Sequence, residues 1–581
     1  MSASTNPGTG PDEDAMASGT LGDGRDRPAT TPTPTPSRAG RVARVLSGVL
    51  VLGLTGGVVA VAVTSPAAGT DPVPASTVDV AAAATTLVCP GPLQLPDDST
   101  SGDSEFDRVP VAPSEAVVGF GTESSGTASL TPLGGSTVDL EAGTGRVASP
   151  TAPVILRAEP VDGETARVAG ATSSVVTAGD LRGLSAASCA PPTADVWLVG
   201  GSTELQSTAD LVVVNPGATA ADVTVEVWGP SGQVDLAGGG QLLVAPGAQE
   251  VVVLPGVAAE QRRTVVHVSA AGGQVSAYLQ DSLLDGFTPQ GTDLVTGGAP
   301  PATTQVVPGL SVPGTQVDAA DAGALRLLAP GEEGATVSVR LLGPDGDVVL
   351  PGAEALDLAP GEVTDLSLGG LAAGTYTAVV ESSVPVVAGG MVARTGAAGE
   401  LDQGPRLERA WAPATSTGSG LVAVPAGTVG TLALAAVPSG DEDATGATGA
   451  ATTATPSATP TPEPTPEPTQ GQRPDPEATA EPQGPTVTVT VRAYGATGVV
   501  GEQEVEVPVG STVPVDVRQL GDGVVGVEVL APRDDAVDLA WSLVASVSRT
   551  GGGFLSVVAP LTEADAVSQA EVREGRRLGV G

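Results

Sequence analysis

Residues 223–234 read VTVEVWGPSGQV, and residues 337–348 read VSVRLLGPDGDV. Apolar and polar side chains alternate up to a Gly-Pro-x-Gly stop, after which the chain resumes. Strict alternation rich in Val, Thr and Leu marks a half-buried antiparallel strand, and Gly with Pro marks the turn that ends it. The same surroundings recur around both stretches. Seven residues before each opening Val stands a proline, in LVVVNPG (211–217) and LRLLAPG (325–331). Twenty-three residues after each Val lies a Pro-Gly, in LLVAPGAQEVVVL (242–254) and LDLAPGEVTDLSL (356–368). Two apolar runs then close each copy, RTVVHVSA with QVSAYL, and TYTAVVES with VPVVAGGMV.

A third copy is interrupted. LALAAVPSG (432–440) is followed by VTVTVRAYGATGVV only from Val487, and VEVPVGSTVPVDV (505–517) places Val509-Gly510 where the others have Pro-Gly. The distance from Pro438 to Val487 is 49 residues against seven, an excess of about 42 residues rich in Thr, Pro, Glu and Ala. Such a stretch cannot bury a core. The arrangement predicts a loop insertion inside one domain rather than a linker between two. Residues 87–192 have the length of a repeat but match poorly, apart from ASLTPLGGSTVDL (128–140) set against the Pro-Gly hairpin. They read as a divergent fourth unit.

About seven strands in roughly 105 residues suits a β-sandwich better than a propeller blade. The predicted fold class is mainly β: tandem antiparallel, Ig-like β-sandwich repeats after one N-terminal transmembrane helix. The expected organisation is a cytoplasmic tail (1–44), a membrane helix (45–64), a linker (65–85), a divergent β domain (86–192), repeats at 193–300, 301–406 and 407–562, the last with its insertion at about 441–485, and a C-terminal tail (563–581). Outside the membrane run, helix is expected only at 563–577.

The membrane run is built from Val45, Leu46, Val49, Leu50, Val51, Leu52, Leu54, Val58, Val59, Val61 and Val63, with Arg38, Arg41 and Arg44 ahead of it and no charge until Asp71. A helix rising about 1.5 Å per residue spans a bilayer core with roughly 20 apolar residues. Arginines on one side only keep the N-terminus in the cytoplasm and place the bulk outside. Ala60-Val61-Ala62 resembles a cleavage site, so secretion after signal cleavage is the alternative, although 44 residues precede the run.

The net charge is −41, and the tail 1–44 is neutral, so the charge belongs to the outer part. All 25 basic residues are Arg and they do not cluster beyond doublets. Nucleic acid is therefore excluded as a partner. In an oxidising outer compartment Cys89 and Cys189, the two cysteines, form one disulfide.

Reactive groups are few. His267 is the one histidine and reads as a strand-surface residue opposite Val266 and Val268. No metal or cofactor motif is present: residues 143–148 (GTGRVA) match G-x-G-x-x-A but precede SPTAP rather than a helix, and read as a turn. The GPDGD stretch at 343–347 reads as a solvated turn rather than a calcium site. Trp197, Trp228, Trp411 and Trp541 read as core, with Trp197 and Trp411 each opening a repeat. The 66 acids contain carboxylate pairs by chance, which leaves a glycoside hydrolase as a remote alternative.

Cys189-Ala190-Pro191-Pro192, Trp197-Leu198-Val199-Gly200-Gly201 and the Asn215-Pro216-Gly217 turn give the chain, from Leu87 to its end, a layout that resembles an actinobacterial family of large secreted or membrane-anchored proteins of unknown function. The resemblance implies a role at the cell envelope, since members are often encoded beside a membrane glycosyltransferase. The expected function is a non-enzymatic envelope scaffold or partner-binding surface without cofactors. Its expected partners are a membrane or envelope protein, with that glycosyltransferase a candidate. A cell-wall glycan-binding protein is the alternative.

Overall fold

The structure, a computed structural model, describes residues 76–79, 82–94, 113–438, 485–562 and 569–572, apart from 123–124, 318, 320, 351, 400–401, 403, 533–536 and 550. The expected membrane run at 45–63, with Arg38, Arg41 and Arg44, lies outside the described residues, as does most of the Thr/Pro-rich stretch. Among the described residues no helix is long and apolar enough to cross a membrane. Contacts divide the chain into residues 1–76 with 571–581, and residues 77–570. The larger sheets lie in the second of these.

The protein is mainly β, in several antiparallel sheets. Helix among the described residues is confined to single turns at Leu254–Val257 and Val517–Gln519. Where the sequence suggests a helix over 563–577, Gln569–Val572 is a strand; its QAEV alternates polar and apolar with period two, which suits a pleated strand.

The opening stretch shows how alternation becomes architecture. In Ala221–Gly229, Val223, Val225 and Val227 are buried while Asp222, Thr224 and Glu226 are not. This strand pairs with Gly232–Val234 and Gln241–Val244 on one side and Val265–Ala271 on the other, and Asp195–Val199 completes the sheet. A second sheet runs Ala248–Val253, Ser207–Asn215, Ser276–Asp285, Thr288–Gly298. Leu211, Val213, Val225, Val266 and Leu279 from both sheets meet in one core.

The same order occurs four times. In the second copy, Ala335–Gly343 lies between Gly346–Val349 with Leu356–Leu358 and the 23-residue strand Gly374–Gly396, which also pairs Ala302–Val312. The far half of that long strand crosses into the second sheet, between Ala324–Leu328 and Arg406–Pro413. In the third copy the sheets are Gly498–Pro508, Thr486–Gly495, Gly526–Leu530, Gly420–Ala423, and Thr512–Asp516, Val429–Pro438, Val537–Arg549, Gly552–Val558. Strands on both sides of the inserted stretch thus share both sheets and one core.

Turn backbones repeat as well. The hairpin glycine that follows Pro-Ser, Pro-Asp and Ala-Thr has φ of 117° at Gly232, 115° at Gly346 and 114° at Gly498, and the glycine in the Pro-Gly place has 65° at Gly247, 73° at Gly361 and, after Val509, 81° at Gly510. Positive φ strains any residue with a Cβ, so these positions hold glycine in every copy.

The first unit, Thr85–Cys89 to Gly183–Ser188, follows the same order. It corrects one alignment. Ala128–Pro132 pairs Val154–Ala158 and Val138–Asp139, and so takes the place of Ala221–Gly229 rather than of the Pro-Gly hairpin. The Pro-Gly place belongs to Ala142-Gly143, with φ of 51° and 83°. A second finding concerns Trp411. Its strand, Arg406–Pro413, bonds along 389–396 and closes the second repeat instead of opening the third. The expected boundary at 406/407 falls at the start of that strand.

Within residues 77–570 each unit meets the next through its own apolar cluster. Val88 and Ala187 meet Val214, Tyr278 and Leu294; Trp197 and Trp228 meet Leu328, Val363 and Val387; Val306, Leu342 and Val379 meet Ala435, Val437 and Ala540. The fourth cluster joins last to first: Phe120, Ala169 and Ala171 meet Leu421, Ala423 and Tyr494. The contacts form a closed circuit.

Candidate functional site

The strand that closes each unit faces the others. Gly183–Ser188, Thr288–Gly298, Arg406–Pro413 and Gly552–Val558 come together, one from each unit. They are buried over most of their length on both faces, which is why none shows clean alternation. Small residues let them approach. A Cβ on Gly291, whose φ is +97°, would lie 2.6 Å from Arg409 N.

Polar side chains fill this junction. Asp281 and Asp293 stand directly opposite each other on paired strands. Asp281 Oδ2 accepts from Arg409 Nη2 at 2.9 Å and from Trp411 Nε1 at 2.8 Å. Asp293 Oδ2 accepts from the Trp411 backbone N–H at 2.8 Å, and its Oδ1 lies 2.8 Å from Ser556 Oγ. Glu408 Oε1 accepts from Leu184 N at 2.9 Å, and Ala186 N donates to Ser556 Oγ at 3.1 Å. All four units are thereby hydrogen-bonded to one another.

Burial pushes the Asp293 carboxyl well above its ordinary range, with the Asp281 charge adding to the effect against three hydrogen bonds. Burial does the same to Glu408, with Asp293 adding and Arg182 opposing. Both carboxyls are thereby biased towards the neutral form, beside the Arg409–Asp281 ion pair. The two recesses beside residues 91–94 are lined by none of Asp281, Asp293 and Glu408. Chemically, the junction is suited to fastening strands together; hydrolysis would need a substrate-accessible cleft between the carboxyls.

The residues singled out in the sequence have these places. Cys89 and Cys189 are joined by a disulfide that ties the first strand of the first unit to the end of its last. Trp197, Trp228, Trp411 and Trp541 are 7%, 6%, 3% and 0% exposed. Trp411 enters the core of the first repeat, beneath the Arg326 guanidinium at 5.0 Å. Gly200 and Gly201 make room there: a Cβ on Gly200 would meet the Trp411 ring at 2.9 Å. Asn215 is buried, donating to Thr219 O and Val244 O and accepting from Gly217 N, which fixes its turn. His267 is more enclosed than a surface histidine. It stacks on Trp197 at 4.2 Å, between Glu226 at 3.0 Å from Nδ1 and Asp195 at 2.9 Å from Nε2. Gly143 is in a turn that leads into strand Thr144–Ala148, which no dinucleotide fingerprint does. Among the described residues no group of three or more His, Cys, Asp or Glu could hold a metal ion.

Residues 142–463 match the model of a family described as Family of unknown function (DUF5719). The match covers more than half of the chain. The chain belongs to the DUF5719 family. The matched region runs from the turn at Ala142 through both uninterrupted repeats into the inserted stretch, and contains three of the four closing strands of this DUF5719 member. No curated protein matches the chain. Among solved structures, "Crystal Structure of Thermotoga maritima 1070" is 21% identical over 20% of this chain and 93% of that chain, with a TM-score of 0.16, too low to bear on fold or function.

Proposed function

We propose that this protein is a non-enzymatic, membrane-anchored envelope protein whose four Ig-like β-sandwich units form a rigid extracytoplasmic scaffold. The helix built on residues 45–63, with Arg38, Arg41 and Arg44 on its cytoplasmic side, anchors it. Loops and edge strands of the units bind a membrane or envelope protein, and the scaffold is accessory to envelope glycan assembly. The observation that carries this reading is the junction. Its acids, its arginine and its tryptophan are spent on holding four units together, which leaves outward loops and edges for recognition. The Cys89–Cys189 disulfide supports an oxidising compartment. Glycan binding is the second reading, and the burial of all four tryptophans removes the stacking strip it would use.

In-cell crosslinking of the full-length chain, with partners identified by mass spectrometry, tests the proposal. The control lacks residues 1–70 and carries a cleavable signal. One membrane enzyme or assembly protein retained in both supports the scaffold. Loss of that partner in the control moves recognition to the anchor or tail. Absence of any protein partner, with polysaccharide retained instead, favours the glycan reading.

A further inference from the structure

Asp210 lies on Ser207–Asn215, on the face turned away from Ala209 and Leu211 and so away from its own unit's core. It is 7% exposed. Its cross-strand neighbours are Val253 and Gln280, and both ends of the Gln280 amide are already used: Oε1 accepts from Gln94 N at 2.8 Å and Nε2 donates to Gln94 O at 2.6 Å. Asp210 Oδ1 has no hydrogen-bond partner among the described residues, and no basic residue lines the recess it faces. That recess is shallow, with room for about one water-sized group such as an ammonium head, roughly 10 Å³, and its walls include Pro92, Val212, Val251 and Tyr278. Gln249, further along the edge strand, offers a second unpartnered acceptor, Oε1.

An isolated buried carboxylate destabilises a fold unless something compensates its charge. Here an acid stands at a recess with mixed walls, apolar at Pro92, Pro153, Val212 and the exposed Val251, and polar at Gln94, Gln249 and Gln280. A bare metal ion is usually held by more than one carboxylate, and Asp210 is the one carboxylate in these walls. An alkylammonium group fits better: its methylene stem packs on Val212, Val251 and Pro92 while the ammonium reaches Asp210. We propose that this recess, at the seam between the first two units, binds a primary alkylammonium group, with Asp210 as its counter-ion. The inference stands independently of the scaffold reading.

The test is a calorimetric titration of the full-length chain in neutral detergent with n-butylammonium chloride at pH 7.5, with sodium chloride at matched ionic strength as reference. Asp210→Asn is expected to weaken binding at least about tenfold. It is also expected to raise the thermal midpoint at pH 7.5, because an uncompensated charge is removed; a carboxylate already satisfied within the fold gives a lower midpoint. Val251→Lys, on the exposed edge two residues from the Asp210 pairing position, is expected to supply the ammonium internally and abolish the butylammonium response. Nα-acetyl-lysine methylamide separates the sources: binding equal to that of butylammonium points to a lysine side chain of a partner, and binding of butylammonium alone points to a free amine. Absence of a response in the native chain, an equal response to sodium, or a response that persists in Asp210→Asn overturns the proposal.

Discussion

Asp281 and Asp293 face each other across one strand pair, yet their loss should have unequal effects. Asp281 is fully buried and is the ion-pair partner of Arg409, whose side chain is itself 10% exposed. Asp281→Asn keeps the size and can still accept the Trp411 indole N–H, but it leaves a guanidinium buried without a counter-charge. Breaking a buried pair from one side costs about 3–5 kcal/mol. Burial favours the neutral form of Asp293, so Asp293→Asn, which keeps the size and stays neutral, should cost about 1 kcal/mol. For a cooperative unit of roughly 500 residues, unfolding entropy near 2.1 cal/mol/K per residue converts these into midpoint drops of about 4 °C and about 1 °C. Differential scanning calorimetry at pH 7 reads both. Equal drops, or a larger one for Asp293→Asn, would refute the assignment of charge within the junction.

Three further outcomes are expected. Asp293 and Glu408 are acids whose folded forms hold protons more tightly than the unfolded chain does, so their contribution is present below the unfolded carboxyl range and lost as pH rises. The thermal midpoint should therefore fall as pH rises above the unfolded carboxyl range, and the Asp293→Asn, Glu408→Gln double variant should flatten that slope; an unchanged slope contradicts the assignment. Cys189→Ser removes a cross-link between residues 100 apart, which loop entropy values at about 4–5 kcal/mol. Limited proteolysis of the variant should then give cuts within residues 86–192 that the native chain lacks, and an unchanged pattern there argues against it. Replacing residues 439–485 with PGATA, the connection used at 216–220, shortens the loop by about three doublings and should leave the midpoint unchanged or raise it by about 2 °C. Loss of folding in that variant would mean that strands on the two sides of the stretch do not share a core.

The repeated hairpins were legible because each buries one face. Val223, Val225 and Val227 alternate with polar residues, and glycine marks each turn that needs positive φ. The closing strands were not legible. GLSAAS and RLERAWAP are covered on both faces, so they have no polar side, and the charged residues of RLERAWAP resemble a solvated strand. Trp411 was placed at the start of a repeat for this reason. Nothing local distinguishes Asp281 or Asp293 from the other acids; only the fold brings them opposite each other. Asp210 was equally silent, since ADLVVVN reads as an ordinary strand and the segment that covers it lies far away in sequence, at 91–94.

The joining of the last unit to the first through Phe120 and Tyr494, 5.7 Å apart, has an evolutionary consequence. An open solenoid can gain or lose a repeat at its end, because the exposed flank is the same before and after. A closed circuit has no such flank. Duplication or deletion of one unit would break the seam at Phe120 and change the angle at every other seam at once. Copy number in this protein is fixed by geometry, so divergence has room to act on the lengths of the connections between strands, as the sequence inserted between Pro438 and Thr486 illustrates.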